Sequence, residues 1–322
     1  MNLVATATSL LGLFLLNKLR KKLTAKNDDI NEDPPIALKK KKISLRLISK
    51  TNISPDTRIF RFALPTEKHS LGLPIGNFVL AFAKKWYFMP FHRAYTPISS
   101  NNYDLGYMDL VVKIYFPNVD PKHRKGGRMS MHFENLKIGE YMDFYGPLGF
   151  IQHRIKENGV DMSYYRRKLR ISRFLVERTN INKIGMIAGG TGIAPMLQLI
   201  REIFGRNKYD SNCINKTTEI TLIFSNKTNA DILFKKELEE LAKKSNNRFK
   251  VIFTLTRDGW NDYEEGETKV NGQVDRKMIE KYMPHYNDEN SSILLCGRPA
   301  MVKSCQNIFE EMEWDMRNVF SY

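Results

Sequence analysis

Short runs of aromatic and β-branched residues, separated by Gly, Pro and Asn, occupy the chain between residues 43 and 145. Their lengths are typical of strands, and the clearest runs cover residues 43–49, 57–62, 77–82 and 108–116. In the last run one apolar set alternates with a mixed set: Leu110, Val112 and Ile114 against Val111, Lys113 and Tyr115. Because successive side chains of a strand point to opposite faces, this strand should place one face on a core and direct Lys113 towards a polar ligand. The pattern predicts an antiparallel β-barrel over residues 43–150.

From residue 181 the apolar runs instead alternate between strand and helix spacing. Residues 183–188 form a hydrophobic run, residues 189–195 a glycine-rich turn, and residues 196–204 an apolar stretch with helical periodicity. The alternation then continues with strands at 219–225, 250–255 and 292–296 and helices at 231–244 and 275–282. Such alternation is typical of a mostly parallel sheet. We predict an α/β nucleotide-binding domain over residues 181–322, joined to the barrel by an interdomain linker at 151–180.

The N-terminus carries a third kind of pattern. Residues 3–16 are almost uninterrupted apolar sequence, and Lys18, Arg20, Lys21 and Lys22 follow at once. A membrane-spanning helix needs about 20 residues, so the segment is short for an anchor, and the core of a cleaved signal peptide is the alternative. The charges follow the apolar run, which favours a retained anchor with the body of the protein in the cytoplasm. We therefore predict an anchor helix at residues 1–22 and a tether at 23–42.

Charge and cysteine content narrow the choice of partners. The 322 residues carry a formal net charge of +16 and a pI near 9.6, which suggests an acidic protein, an anionic membrane or nucleic acid. We expect no nucleic acid, because no RNA-binding, zinc-finger or helix-turn-helix pattern is present. The only cysteines are Cys213, Cys296 and Cys305, too few for a disulfide framework or a structural zinc site. We therefore expect a reducing compartment and no metal.

Two segments of the first domain have residue types that suit a flavin dinucleotide. In residues 93–100, Arg93 can pair with phosphate oxygens, Tyr95 can lie along an isoalloxazine ring, and Thr96 can hydrogen-bond the ring edge. The alternative for this segment is an ordinary strand with an aromatic core position. In residues 126–132, two glycines and Ser130 open a predicted helix whose free N–H groups can receive phosphate. The agreement between the two segments carries more weight than either alone.

The glycine-rich turn of the second domain predicts a pyrophosphate site. Gly190 and Gly192 let the backbone approach an anion at a helix N-terminus. Pro195 stands where the ordinary dinucleotide fingerprint has a third glycine, which disfavours a plain Rossmann dehydrogenase. Ligands gather at the carboxyl ends of parallel strands, and we expect the residues at those ends to converge on one crevice: Thr191, Ser225, Asn226, Thr256, Cys296 and Gly297.

Taken in order, four segments resemble the NADH-cytochrome b5 reductase family, within the wider ferredoxin-NADP reductase-like flavoproteins. The segments are residues 93–97, 126–130, 185–197 and 296–301, and lesser similarity at 109–116 and 231–234 extends the resemblance over about 43–320. The family implies a β-barrel FAD domain packed on an NADH domain. Two electrons are received as hydride and passed singly to a heme protein. No side chain need act as an acid or base, because the flavin performs the chemistry.

The resemblance also assigns residues. Those expected to hold FAD are Arg93, Ala94, Tyr95, Thr96, Val111, Lys113, Phe116, Gly127, Arg128, Met129 and Ser130. Those expected to shape the nicotinamide crevice are Gly190, Thr191, Gly192, Ala194, Pro195, Thr256, Cys296, Gly297, Pro299 and Met301. Thr191, Tyr95 and Lys113 are the residues that we place nearest the reacting atoms. The chain departs from the family pattern at Ala94, Arg128, Ala194 and Arg298, where Pro, Lys, Thr and Pro are usual.

One further departure concerns the choice of nucleotide. Thr256 stands where the family commonly has an acidic or amide residue, and Arg257 follows it. A carboxylate at that position would hydrogen-bond the adenosine ribose and repel a 2′-phosphate, so its absence leaves NADPH open as a second donor. We expect NADH to remain the preferred donor.

The expected acceptor is cytochrome b5 or a similar acidic heme protein, as in electron supply for lipid desaturation or sterol synthesis. A basic stretch is a candidate docking surface, with a solvated linker as the alternative: Arg166, Arg167, Lys168, Arg170 and Arg173. We expect a monomer anchored in the endoplasmic reticulum or outer mitochondrial membrane. Three alternatives remain: a reductase of a quinone or another heme protein, an NADPH-using variant, and an inactive membrane-tethered scaffold.

Overall fold

A computed structural model of the chain describes residues 33–83, 91–101, 103–119, 124–167, 173–205, 215–260 and 268–322. The chain divides into two units, Met1–Pro35 and Ile36–Tyr322. The predicted anchor, most of the predicted tether, Cys213, Lys168 and Arg170 lie outside the described residues. Within the described ranges, no helix has the length and apolar character needed to cross a membrane.

The first domain of the unit Ile36–Tyr322 is an antiparallel sheet of six strands: β1 Lys41–Ser54, β2 Thr57–Ala63, β3 Phe78–Ala83, β4 Phe91–Tyr95, β5 Tyr107–Lys113 and β6 Tyr141–Leu148. Their order is β4-β3-β6-β1-β2-β5. Pro97, just after one edge strand, pairs with Leu110 in the other, so the sheet curls towards closure. Helix α1, Arg128–Asn135, follows β5. The predicted antiparallel first domain is confirmed.

The barrel core is built on aromatic rings. Phe133 of α1 lies 5.0 Å from Phe60 between ring centroids, and Phe144 lies 4.9 Å from Phe62. The predicted alternation in β5 is also confirmed, because Leu110, Val112 and Ile114 are fully buried in this core. Val111, on the opposite face of β5, is buried in the core of the second domain. One strand therefore serves two cores, which fixes the barrel against the α/β sheet.

The folded unit begins before β1. Ala37 and Leu38 are buried, and their N–H groups donate to the carbonyls of Ser70 and Leu71. These two residues fall within the region for which the sequence predicts a tether. A truncation that keeps the barrel intact must therefore start at or before Ile36.

The described residues of the predicted linker, 151–180, instead form a three-stranded antiparallel sheet that ends at Ile181. Its strands are β7 Ile151–Lys156, β8 Gly159–Arg167 and β9 Arg173–Ile181, in the order β7-β8-β9. The physical cause is a period-two pattern in β8, where Val160, Met162 and Tyr164 are buried against the core of the second domain. Alternating buried side chains require a regular strand, so the described part of this connection, residues 151–167 and 173–181, is ordered.

The second domain is a parallel sheet of six strands: β10 Lys183–Gly189, β11 Glu219–Asn226, β12 Phe249–Leu255, β13 Lys269–Asn271, β14 Ser291–Cys296 and β15 Val319–Ser321. Their order is β13-β12-β11-β10-β14-β15. The helices are α2 Ile193–Phe204, α3 Lys235–Lys244, α4 Arg276–Tyr282 and α5 Pro299–Glu311. Separate hydrophobic clusters cover the two faces, with Met186 in one and Ile187 in the other. The predicted parallel-sheet domain is confirmed.

The helix predicted at 231–244 begins later than expected. Asn229–Asp231 form a 3₁₀ turn closed by a capping box between Thr228 and Asp231, and Phe234 has a left-handed backbone with φ of 56°. A non-glycine residue in this region interrupts a right-handed helix. Helix α3 therefore starts at Lys235.

Candidate functional site

A cleft of about 1000 Å³ lies between the barrel and the carboxyl ends of the parallel strands. It brings together residues from β4, β5, the start of α1, the β10–α2 turn and the ends of β11, β12 and β14. All the residues predicted to hold the two cofactors line it except Phe116. Phe116 instead packs against the barrel core, with the Arg58 guanidinium 5.8 Å from its ring centroid.

Two arginines dominate the barrel side of the cleft. The guanidinium groups of Arg93 and Arg128 lie 4.2 and 4.4 Å from the ring centroid of Phe91. Among the residues that the structure describes, neither guanidinium has a carboxylate partner. Two like charges held at one ring without a counter-charge favour a bound anion. This arrangement fits the pyrophosphate of a dinucleotide.

The start of α1 supplies further donors. Its cap is Gly127, which makes no side-chain capping bond, and the first intrahelical bond of the turn runs from Met131 N–H to the Gly127 carbonyl. The N–H groups of the first turn are therefore free of helical partners. Gly126 has φ of 76°, which favours glycine and allows the sharp entry into the helix.

The Ser130 hydroxyl is used within the protein. The hydroxyl accepts the Tyr115 N–H at 3.1 Å and donates to the Gly127 carbonyl at 3.1 Å. Because these bonds hold the loop to the end of β5, the donor that Ser130 offers to a phosphate is its backbone N–H. Tyr115 itself lines the cleft and was not among the predicted site residues.

Tyr95 and Lys113 lie on the wall where a flavin ring would rest. The Tyr95 ring meets Phe133 edge-on at 5.1 Å between centroids, and burial raises the pKa of its phenol. The phenol is therefore a neutral hydrogen-bond donor. Lys113 forms an ion pair with Asp56, which also accepts the Thr57 hydroxyl at 3.1 Å. The lysine thus reaches the cleft while tied to a turn of the barrel.

The opposite wall is the turn Gly190–Gly192, which leads β10 into α2. A Cβ added at Gly192 would lie 2.3 Å from the Cys296 carbonyl oxygen and 2.9 Å from the Gly297 nitrogen. Only glycine lets the turn sit against the end of β14. Gly190, with φ of 54°, faces open space, and Thr191 between them is half-buried at the cleft surface. The turn presents backbone to a ligand at a helix N-terminus.

Cys296 lies beneath this wall as a neutral thiol. Burial raises its pKa to about 12, so the thiolate needed for nucleophilic chemistry is not formed near neutral pH. Its contribution to the cleft is shape. The neighbouring Gly297 packs against Met301, whose methyl carbon would be 2.5 Å from an added Cβ, and both residues line the floor of the crevice.

Polar residues follow β11 and β12 at the far end of the cleft. Asn226 is 5% exposed, and its Oδ1 has no hydrogen-bond partner in the described part of the chain. Its main-chain carbonyl accepts both the Thr256 N–H at 3.0 Å and the Thr256 hydroxyl at 3.3 Å. A buried acceptor without a partner at a ligand cleft fits the hydroxyl or amino donors of an adenosine.

Lys227 and Gln273 also line the cleft and were not predicted. Lys227 directly follows Ser225 and Asn226, which the sequence predicts at the carboxyl end of a strand, so the same pattern could have identified Lys227 as a cleft residue. Gln273 follows the short strand β13, for which no apolar run of sufficient length exists. Arg298, noted only as a departure from the family, lines the cleft as well.

Helix α2 carries the polar contacts that join the two walls. The Gln198 side chain accepts the Gly76 N–H at 3.1 Å and donates to the Pro97 carbonyl at 2.7 Å. Arg201 donates to the Ile98 carbonyl at 2.7 Å, and Glu202 accepts the Ser100 hydroxyl. These bonds hold the segment just after Tyr95 against the helix that begins at the glycine turn. The distance between the two cofactor sites is therefore set by one rigid helix.

Comparison with known proteins agrees with this arrangement. A family model described as oxidoreductase FAD-binding domain matches residues 44–153, and one described as oxidoreductase NAD-binding domain matches residues 186–307. A Xenopus tropicalis protein named NADH-cytochrome b5 reductase 2 is 40% identical over 285 residues, covering 87% of this chain and 86% of that protein. The Homo sapiens protein of the same name is 39% identical over 285 residues, covering 87% of this chain and 94% of that protein.

A solved structure shares the fold at similar identity. The cytochrome b5 reductase domain of Ulva prolifera nitrate reductase superposes with a TM-score of 0.74 at 33% identity, covering 89% of this chain and all of that domain. A ferredoxin-NADP⁺ reductase from Plasmodium falciparum has the same fold at 17% identity, with a TM-score of 0.60.

Proposed function

The chain belongs to the NADH-cytochrome b5 reductase family, and we propose that it oxidises NADH and passes the electrons one at a time to cytochrome b5. FAD and NADH are its cofactors. The observation that carries the proposal is the single cleft, which holds an anion site on the barrel wall opposite a glycine turn on the sheet wall. FAD, when bound, supplies the conversion between one hydride and two single electrons.

The residues of the barrel wall bind and orient the flavin nucleotide. Arg93, Arg128 and the first-turn N–H groups of α1 hold its pyrophosphate. Tyr95 and Thr96 would lie along the ring system, where the neutral Tyr95 phenol would offer a hydrogen-bond donor. Lys113 brings a positive charge to the cleft from its ion pair with Asp56. A fixed positive charge of this kind favours negative charge nearby.

The residues of the sheet wall would hold the nicotinamide nucleotide opposite the barrel wall. Gly190, Thr191 and Gly192 present backbone at the N-terminus of α2, while Cys296, Gly297 and Met301 shape the floor. Cys296 is protonated near neutral pH, so it does not compete as a nucleophile. For hydride transfer, the close approach of donor and acceptor and the exclusion of water matter more than any proton transfer by a side chain. The rigid α2 supplies that closeness through its bonds to the segment after Tyr95.

The acceptor proposed for this chain is a heme protein with an acidic surface, serving lipid desaturation or sterol synthesis. The net charge of +16 supports this choice, because opposite charges steer two proteins together at low ionic strength. The candidate docking stretch at 166–173 includes the end of β8 and the start of β9, where the backbone of Arg167 pairs with that of Arg173. Reduction of an uncharged quinone is the control, since a small neutral acceptor has no electrostatic docking step. Cytochrome b5 reduction should fall much more steeply with salt than quinone reduction, and equal slopes would favour a quinone or another small acceptor.

We also propose that residues 1–22 anchor a monomer in the endoplasmic reticulum or outer mitochondrial membrane, with the catalytic unit in the cytoplasm. The support is the apolar run at 3–16 followed by four basic residues within 18–22. Carbonate extraction and organelle markers test the anchor on the full chain and on residues 33–322. We expect the full chain to stay with the membranes and the shorter protein to be released. Light scattering of the shorter protein measures its mass and so tests whether it is a monomer.

A further inference from the structure

An uncompensated group of positive charges lies at the carboxyl ends of β11 and β12. Lys227 directly follows β11, and Arg257 follows Leu255 of β12 after one residue. The two segments are joined by the main chain, where the Arg257 N–H donates to the Lys227 carbonyl at 3.0 Å. Neither side chain has a hydrogen-bond or ion-pair partner within the described ranges. Lys227 lines the cleft, and Arg257 is exposed next to it.

The electrostatics of Lys227 show that the charge is unbalanced. Burial lowers its pKa, and Arg298, Arg257 and Lys113 lower it further. Asp231 opposes them, but its carboxylate already accepts the N–H and the hydroxyl of Thr228 in the capping box. A lysine held near other cations at reduced exposure is destabilised until an anion binds. A phosphate group would satisfy it.

The position of this group relative to the nucleotide identifies the phosphate. In sheets of this type the pyrophosphate lies at the glycine turn, here at the end of β10. The adenosine ribose lies towards the neighbouring strands, where an acidic residue accepts the 2′-hydroxyl or a basic residue accommodates a 2′-phosphate. Here Thr256 occupies that place without charge, next to Arg257. Asn226, 95% buried and with an unpartnered oxygen at the cleft, marks the same end as a ligand site.

We propose that Lys227 and Arg257 form a phosphate subsite that receives the 2′-phosphate of NADPH, so that the chain uses NADPH as well as NADH. The inference rests on the proposed function, because it places the nucleotide in the same cleft. Arg298 has a different part. It follows β14, on the other side of β10 from β11, and lines the cleft where the pyrophosphate that both nucleotides share would bind at the glycine turn, although its charge also reaches Lys227.

Binding to the full-length, FAD-loaded protein tests the subsite directly. Calorimetry compares adenosine 2′,5′-bisphosphate with 5′-AMP and 5′-ADP. We expect the 2′,5′-bisphosphate to bind at least tenfold more tightly than 5′-AMP, and the double variant Lys227→Gln/Arg257→Gln to remove most of that difference. Lys236→Gln, an exposed charge change in the same domain outside the cleft, should preserve it. If 5′-ADP gains as much affinity as the 2′,5′-bisphosphate, the cations serve the pyrophosphate and the proposal fails.

Kinetics with both nucleotides separate this inference from the proposed function. We expect kcat/KM for NADPH to reach at least a tenth of the value for NADH. The double variant and Thr256→Asp should each lower the NADPH-to-NADH ratio at least tenfold, whereas Arg298→Gln should change both values in proportion. Flavin reduction by NADH alone, with no preference for the 2′,5′-bisphosphate, would overturn the subsite and leave the reductase intact. Reduction by neither nucleotide would overturn the function itself.

Discussion

Replacing Gly192 by alanine tests whether the turn at the end of β10 sets the nicotinamide position. The new Cβ would lie 2.3 Å from the Cys296 oxygen, 2.6 Å from its carbonyl carbon and 2.9 Å from the Gly297 nitrogen. The φ of Gly192 is −63°, so alanine meets no backbone strain and the effect is purely steric. The opposing atoms are all main chain at the end of β14, and β14 is hydrogen-bonded to β10, so no flexible side chain can yield.

The size of the effect follows from the overlap. Restoring ordinary contact moves the turn and the β14 end apart by about 1 Å, and a displacement of that size costs about 100-fold in rate when it misplaces reacting groups. We therefore expect flavin reduction by NADH to slow about 100-fold, or about 3 kcal/mol in barrier. FAD should remain bound, because Arg93 and Arg128 belong to the barrel wall. Anaerobic stopped-flow absorbance measures the reduction step.

Two matched variants separate the overlap from the loss of a glycine. Gly205→Ala changes the other end of α2, where the nearest atom would be 3.7 Å from the new Cβ, and reduction should keep its normal rate. Gly190→Ala meets no atom within 4 Å but retains φ of 54°, so it should cost about 1–2 kcal/mol of stability. A Gly192→Ala protein that reduces its flavin within threefold of the normal rate would refute the reasoning.

Three further predictions concern stability and cofactor retention. Burial lowers the pKa of His153 to about 4 from 6.5, so unfolding takes up a proton between these values and the folded state loses stability as the pH falls through this range. Urea titrations should show a loss of about 2 kcal/mol from pH 6.5 to 5, and His153→Gln should lose less; an equal loss in the variant would assign the pH dependence to another group. Gln198→Leu leaves the two buried peptide groups that Gln198 bridges without hydrogen-bond partners. Each should lower the free energy of unfolding by about 1–3 kcal/mol, and a change near zero would show that water takes the place of the glutamine. Arg128→Gln should raise the FAD dissociation constant about 10- to 100-fold, measured by flavin fluorescence, whereas Arg46→Gln, at an exposed position, should leave it unchanged. Equal effects of the two variants would contradict the assignment of an anion site to Arg128.

The sequence predicted best where periodicity and a motif coincide. The alternation in β5 identified Leu110, Val112 and Ile114 as core, since a strand has only two faces. The glycine turn identified the wall opposite the flavin, because Gly192 leaves room for the backbone of Cys296. Both features are local, so the residues themselves contain the information.

The sequence predicted less well where position depends on contacts between distant segments. The sheet at 151–181 has an alternating pattern in β8, but the charged residues around 166–173 favour a linker when the covering core is unknown. Phe116 follows the family pattern, yet packing against the barrel core and the Arg58 guanidinium holds it away from the cleft. The charge imbalance at Lys227 arises from three different segments that only the fold brings together.

The most direct test of the central claim is an anaerobic titration of the FAD-loaded protein, first with NADH and then with oxidised cytochrome b5. The account predicts that NADH bleaches the flavin absorbance and that cytochrome b5 restores it while two hemes are reduced for each NADH consumed. A flavin that NADH bleaches but cytochrome b5 leaves reduced would contradict the proposed acceptor. A protein that binds no FAD would contradict the account of the cleft itself.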